Sequence, residues 1–201
     1  MLCLAGTAWA ASLSAREWTT QTIVMAMRSS QDKGQTVLVD HADDLPEALG
    51  DRAKAGLAEL ALISAGQAST RGERQLDLAW ARRQIEPLSH SRPGWATTQI
   101  LTAQADLLAY PSASSRGVAA YVASYRAAPF LMREARWRIA YGAFAWNRLP
   151  DAAQQNMLDE AEWLTRFDSS QRAAIERLLG DSAAGMAYQF RMTVGNIPSA
   201  D

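Results

Sequence analysis

Residues 129–148 constrain the fold of this chain more than any other stretch. On a helical wheel at 100° per residue, Leu131, Met132, Ala135, Ile139, Ala143 and Trp146 gather on one side. Phe130, Trp137, Tyr141 and Phe144 gather nearly opposite. Two polar strips separate them. One holds Glu134 and Arg138 at the i,i+4 spacing of an ion pair, the other Arg133, Arg136 and Asn147 with no carboxylate among them. A surface helix needs one apolar face, so two predict packing on both sides, as in the inner helix of a bundle or array.

Regular helix punctuation surrounds this stretch. Asp44, Pro46 and Glu47 form a helix start, and Gly66 is placed to end that helix after about Ala65. Thr70 and Glu73 form a second capping box, opening a helix through about Ile85 that Pro87 and the polar run 89–92 stop. Pro93 starts the next, with Trp95, Ala96, Ile100, Ala103 and Leu107 at helical spacing, and Tyr110-Pro111 closes it. Ser114 caps a helix carrying Val118, Tyr121, Val122 and Tyr125 on its apolar side. Pro129 and Pro150 bracket the central helix. Residues 151–166 read as amphipathic, with Ala153, Met157, Ala161 and Leu164 inward and the acidic run 159–162 as a solvated face. Asp168 and Gln171 form a third box, Gly180 ends the short helix that follows, and Asp181 or Ser182 opens a last helix to about Met192.

Helices of this length joined by short loops pack as antiparallel neighbours. The fold class is therefore all-α: stacked antiparallel helical hairpins over about 45–86, 93–127 and 129–166, then two closing helices. Residues 44–192 form the helical-hairpin domain and 193–201 a tail. Residues 16–43 form a linker with room for a short helix around Ile23 and the lone β-like run Thr36–Asp40. Residues 1–15 are apolar but shorter than the roughly 20 residues that span a bilayer. Three readings of them stand: an export signal with a small-x-small site at Ala8-Trp9-Ala10, the end of a membrane helix, or a buried first helix. The expected location is periplasmic or inner-membrane-associated through this segment, with cytoplasmic as the alternative.

The chemistry-bearing residues are sparse. A net charge of −1 supplies no field to recruit nucleic acid or anionic lipid. Cys3, the single cysteine, provides neither a disulfide framework nor a cysteine zinc site. Asp40, His41 and Asp43 place carboxylates around an imidazole, a set for a divalent metal or a general base, against the plainer reading of a polar loop. His90 reads as a turn residue. Neither a nucleophile elbow nor a phosphate-cradling glycine loop is present. Arg133, Arg136 and Asn147 are the candidate groove for a carboxylate, phosphate or acidic partner, against pairing with Asp159, Glu160 or Glu162. Residues 169–192 outline a helix-turn-helix offering Tyr188, Gln189 and Arg191 to DNA, which a capping hairpin explains better.

Residues 93–129 resemble one degenerate unit of a tetratricopeptide-type array, with Trp95 early in the first helix and small residues at the crossing. The mid-repeat Gly and Tyr positions depart from that pattern. Ser124, Tyr125, Pro129, Phe130, Arg138, Trp146, Leu149 and Pro150 carry a second likeness. On these residues the stretch is similar to helical accessory proteins of bacterial exopolysaccharide and exosortase-linked gene clusters. That resemblance implies a non-catalytic scaffold with no cofactor and a protein partner in a membrane polysaccharide assembly. The alternatives are a small metal-dependent enzyme using Asp40, His41 and Asp43, and DNA binding through residues 169–192.

Overall fold

The computed structural model describes residues 49–110 and 112–194. The readings made for residues 1–48, among them the apolar leader, the Asp44 cap and the Asp40/His41/Asp43 set, lie outside the described residues, as does the tail from residue 195. The described residues are all helical and include no strand. They contain α1 (Asp51–Gln67), α2 (Arg71–Ser91), α3 (Ala96–Ala109), α4 (Ser115–Ala127), α5 (Ala135–Ala145), α6 (Asp151–Phe167), α7 (Arg172–Leu179) and α8 (Ala183–Val194). Short 3-10 turns follow α5 and α6, at Trp146–Arg148 and Ser169–Gln171. The chain divides into two compact units, one ending at Pro93 and one beginning at Gly94.

In the first unit α1 and α2 pack as a hairpin. Small side chains let them approach closely: Ala53, Ala58, Ala61 and Ala65 of α1 are buried, with Leu57 and Leu60 between them. The capping box forms as the sequence predicts. Thr70 Oγ1 accepts from Glu73 N at 3.2 Å, and Glu73 Oε2 accepts from Thr70 N at 3.0 Å. At the open end, Arg92 Nε meets Asp51 Oδ2 at 2.7 Å. Two expected stops do not hold. Gly66 lies inside α1, which ends at Gln67, and α2 runs through Pro87 to Ser91. Proline removes one N–H and crowds the carbonyl four residues earlier. That carbonyl belongs to Arg83, and both residues are exposed, so water can take up the lost bond. Ile85 and fully buried Leu88 anchor the helix on either side of the proline.

In the second unit α3 pairs with α4 and α5 with α6, and α7 and α8 close over the latter pair. The starts at Ser114 and Ser182 match the sequence reading. Asp168 instead caps the 3-10 turn before α7 rather than forming a box with Gln171, and α3 begins at Ala96 rather than Pro93. Ser114 Oγ accepts from Gly117 N at 3.1 Å, Ser182 Oγ from Gly185 N at 3.1 Å, and Asp168 Oδ1 from Ser170 N at 3.0 Å. Gly180 ends α7 with φ 52°, the left-handed geometry that favours glycine.

The central helix corrects the expectation in three ways. It begins at Ala135 rather than Pro129, and residues 129–134 form the connecting loop. Its buried residues, Ala135, Arg138, Ile139, Tyr141, Gly142 and Ala145, share one broad side. Phe130, Met132 and Phe144 are exposed at 44%, 48% and 54%, while Trp137 and Trp146 are half-buried. It is therefore a one-sided helix, and α6 is the one that touches α4, α5, α7 and α8. The wheel failed because a charged residue occupies the inner face. Arg138 is fully buried, with its charge met by Glu160.

Gly142 marks the closest approach in this core. A Cβ there would run into the Tyr121 hydroxyl and come within 2.7 Å of Met157 Cγ. Gly142→Ala is expected to lower unfolding free energy by about 1–3 kcal/mol, as overpacking does. Urea denaturation of the two proteins measures it.

Candidate functional site

The loop between α4 and α5 is set by a buried polar cluster. Arg138 donates from Nε to Glu160 Oε2 at 2.9 Å and from Nη2 to Glu160 Oε1. Its remaining donors hold the loop: Nη1 reaches Ala128 O at 2.8 Å and Nη2 reaches Pro129 O at 3.2 Å. Glu160 also accepts from Leu131 N at 3.0 Å and from the Tyr125 hydroxyl at 2.8 Å. The guanidinium carbon lies 4.0 Å from the centroid of the Tyr125 ring. Tyr121 donates to Arg138 O at 3.1 Å. Glu160 and Glu162, expected on a solvated face, are both buried. Their spacing in α6 looks like an acidic surface run, and only an unpaired partner charge elsewhere in the chain could have shown otherwise.

This cluster presents an aromatic row. Phe130, carried by the pinned loop, lies 5.3 Å from Trp163 between centroids, and Trp163 lies 5.7 Å from Phe167. Phe130 is 44% and Phe167 66% exposed, with Trp163 half-buried between them. Phe130 and Phe144, on a packed face of the ideal wheel, are exposed, and Trp163 and Phe167 lie outside that stretch of sequence. Phe130 is exposed because the helix it was assigned to starts six residues later than expected, at Ala135 rather than Pro129. The i,i+4 spacing of Trp163 and Phe167 was the available signal for the row. The rings lie against one another, leaving little free face on Trp163 for stacking a sugar.

The arginine strip divides. Arg133 is exposed in the loop that carries Phe130, and Arg136 is exposed in the first turn of α5. Arg136 donates from Nε to Gln171 Oε1 at 2.8 Å. Beside it, hydrogen bonds from Ser170 and Gln171, then the Arg136 charge, hold the Asp168 carboxyl below its ordinary value. Asn147 is exposed in the turn after α5, about 16 Å along the axis from Arg136 at 1.5 Å per residue. Arg136 reaches Gln171, four residues beyond Phe167, and Asn147 stands at the other end of α5. Arg138, read as a strip residue pairing with Glu134, turns instead to Glu160.

A second buried polar group lies beneath the start of α4. Asp106 Oδ2 accepts from Ser114 Oγ at 2.5 Å. A Cβ on Gly117 would come within 2.6 Å of that carboxylate and 2.8 Å of the Tyr141 hydroxyl. Glycine is what lets the backbone sit over both. Burial pushes Tyr141 up to about 12, with the Asp106 charge adding to it and Arg148 opposing.

Of the side chains offered to DNA, Tyr188 and Arg191 are engaged elsewhere and Gln189 is exposed. The Tyr188 hydroxyl bonds Thr165 Oγ1 at 2.8 Å. Arg191 reaches Asp159 Oδ1 at 2.5 Å and Gln155 Oε1 at 3.2 Å, and also pairs with Glu162. Met186 and Phe190 are the large exposed side chains of α8, which suits apolar packing better than a phosphate backbone. Among the described residues there is no group of three or more metal-ligating side chains, and no helix is long and apolar enough to cross a membrane. No family model, curated protein or solved structure matches this chain.

Two outcomes follow from the buried groups. Arg138→Met or Glu160→Gln alone leaves a buried charge without its partner and is expected to cost about 3–5 kcal/mol. With Glu160→Leu as the second single variant, the Arg138→Met/Glu160→Leu double variant is expected to cost much less than the sum of those two singles, as a double-mutant cycle by urea denaturation will read. At high pH the sign runs against folding. Burial raises Tyr121, Tyr125 and Tyr141 above the roughly 10 of a free phenol. Their contribution is complete below about pH 10 and is lost as pH climbs through the folded values. Tyrosinate absorbance should therefore rise in step with loss of helical circular dichroism above pH 10, and Tyr141→Phe should reduce that coupling.

Proposed function

We propose that this protein is a non-catalytic interaction module whose protein partner docks on the Phe130–Trp163–Phe167 row. The observation that carries the reading is the pairing of exposure with rigidity. Exposed rings scattered singly need no explanation, but a row of three in mutual contact is an apolar patch of the kind that marks a binding surface. Aromatic side chains anchor interfaces because each buries a large area while immobilising few rotatable bonds. This row is already ordered. Phe130 follows Pro129, whose carbonyl Arg138 holds, and precedes Leu131, whose N–H Glu160 holds. Binding would then cost little further ordering. Arg136, exposed and bonded to Gln171 four residues beyond Phe167, supplies a cation that suits a partner with acidic side chains around an apolar centre. The likeness of residues 124–150 to accessory proteins of exopolysaccharide clusters supports a partner within a membrane polysaccharide assembly.

Benzoylphenylalanine in place of Phe167, activated by light in producing cells, should yield a discrete cross-linked protein. The same group in place of Arg177, exposed on α7, should not. The Phe130→Ser variant should reduce the adduct at least several-fold with an unchanged melting temperature. Equal labelling from both positions, or none from Phe167, would remove the row as the docking surface.

A further inference from the structure

A second concave surface lies in the same unit, on the outer side of α4. Ser115, Val118, Ala119, Val122 and Arg126 recur at i, i+3, i+4, i+7 and i+11, one stripe of the helix. Across from it stand Arg148 and Pro150, enclosing a groove of about 570 Å³. Val118 and Val122 are half-buried and Ala119 exposed, so the floor is apolar and open. None of the residues lining the groove is acidic.

The charges sit at its two ends. Arg148 donates through Nη1 to Ala113 O, which places its guanidinium beside the first turn of α4. There the N-terminal end of the helix dipole adds to the positive charge. Arg126 lies in the last turn of α4. From Ser115 to Arg126 the helix rises about 16 Å at 1.5 Å per residue. A strand rises about 3.3 Å per residue, so five steps of extended chain cover the same distance.

From this we infer that the α4 groove takes a short extended peptide of a partner protein, with an apolar centre and a carboxylate at each end. The charge pattern selects the occupant. A wholly apolar segment makes no use of either guanidinium charge, and a single-headed anion engages one. The groove's length matches an extended segment of about six residues at roughly 3.3 Å per residue, whereas a helix would meet it on one side only. The surface lies on α4 and the turn before α6, apart from the Phe130–Trp163–Phe167 row, and does not depend on it.

The test is fluorescence anisotropy with a labelled peptide, Glu-Val-Ala-Val-Ala-Glu, titrated with the full chain at low salt. Binding should weaken at least tenfold when both glutamates are replaced by glutamine. Arg126→Glu should cause a similar loss and should be rescued by replacing one terminal glutamate with lysine. Val122→Gln should weaken binding from the apolar side without changing the salt dependence. Melting curves confirm that each variant is folded. Arg126 is exposed and makes no core contact, so its variant keeps the test valid should Val122→Gln not fold. Equal affinity for the glutamate and glutamine peptides, or no effect of Arg126→Glu, would overturn the proposal. Decanedioate binding as tightly as the peptide would overturn the assignment to a protein partner.

Discussion

One ion pair buried away from water organises the second unit. Arg138 and Glu160 sit on α5 and α6 with both side chains fully enclosed. Moving two such charges out of water is expensive, and their mutual attraction alone does not reliably offset it. The remaining polar atoms therefore need partners, and this chain supplies them from a loop. The carbonyls of Ala128 and Pro129, the amide of Leu131 and the hydroxyl of Tyr125 complete the shell. A loop that would otherwise need water for its backbone groups is fixed in one conformation. The pair thus does more than join two helices. It decides where α4 ends, where α5 begins and which way Phe130 faces.

That arrangement explains which parts of the architecture were legible in the amino-acid sequence. Starts were legible because they are local: Thr70 with Glu73, Ser114 with Gly117, and Ser182 with Gly185 each satisfy an orphaned amide a few residues away. Stops were less so. Pro87 was expected to end a helix, yet the burial of Ile85 and Leu88 outweighs a single lost bond on the wet side. The largest error was the inner face of α5. Sorting apolar from polar residues puts Arg138 outside, and only the position of Glu160, distant in sequence, reverses it. Charge pairing across helices has no periodic signature.

The functional surfaces follow the same division. Arg133, Arg136 and Asn147 share a strip on an ideal wheel drawn from residue 129 to 148. The helix covers only part of that range, so the first two separate from the third. Phe130 was read as core because it was assigned a place in that helix. The α4 groove was half visible: Val118 and Val122 were recognised as one apolar side. Arg126 and Arg148 turn that side into a charged groove only when α4 meets the turn before α6.

The last described helix is held by forces of two kinds. Ala184 and Tyr188 are buried, and the Tyr188–Thr165 bond is shielded, so neither responds much to the surrounding medium. Farther along, Arg191 grips Asp159 and Glu162 at a partly wet margin. Mobile ions weaken contacts of this second kind over distances of about 10 Å at 0.1 M salt, while leaving Arg138 and Glu160 nearly untouched. Ionic strength therefore acts as a dial on one end of the molecule. In dilute medium α8 is held by both kinds of contact, and in brine its hold passes to Ala184, Tyr188 and Met192, which pack into the core.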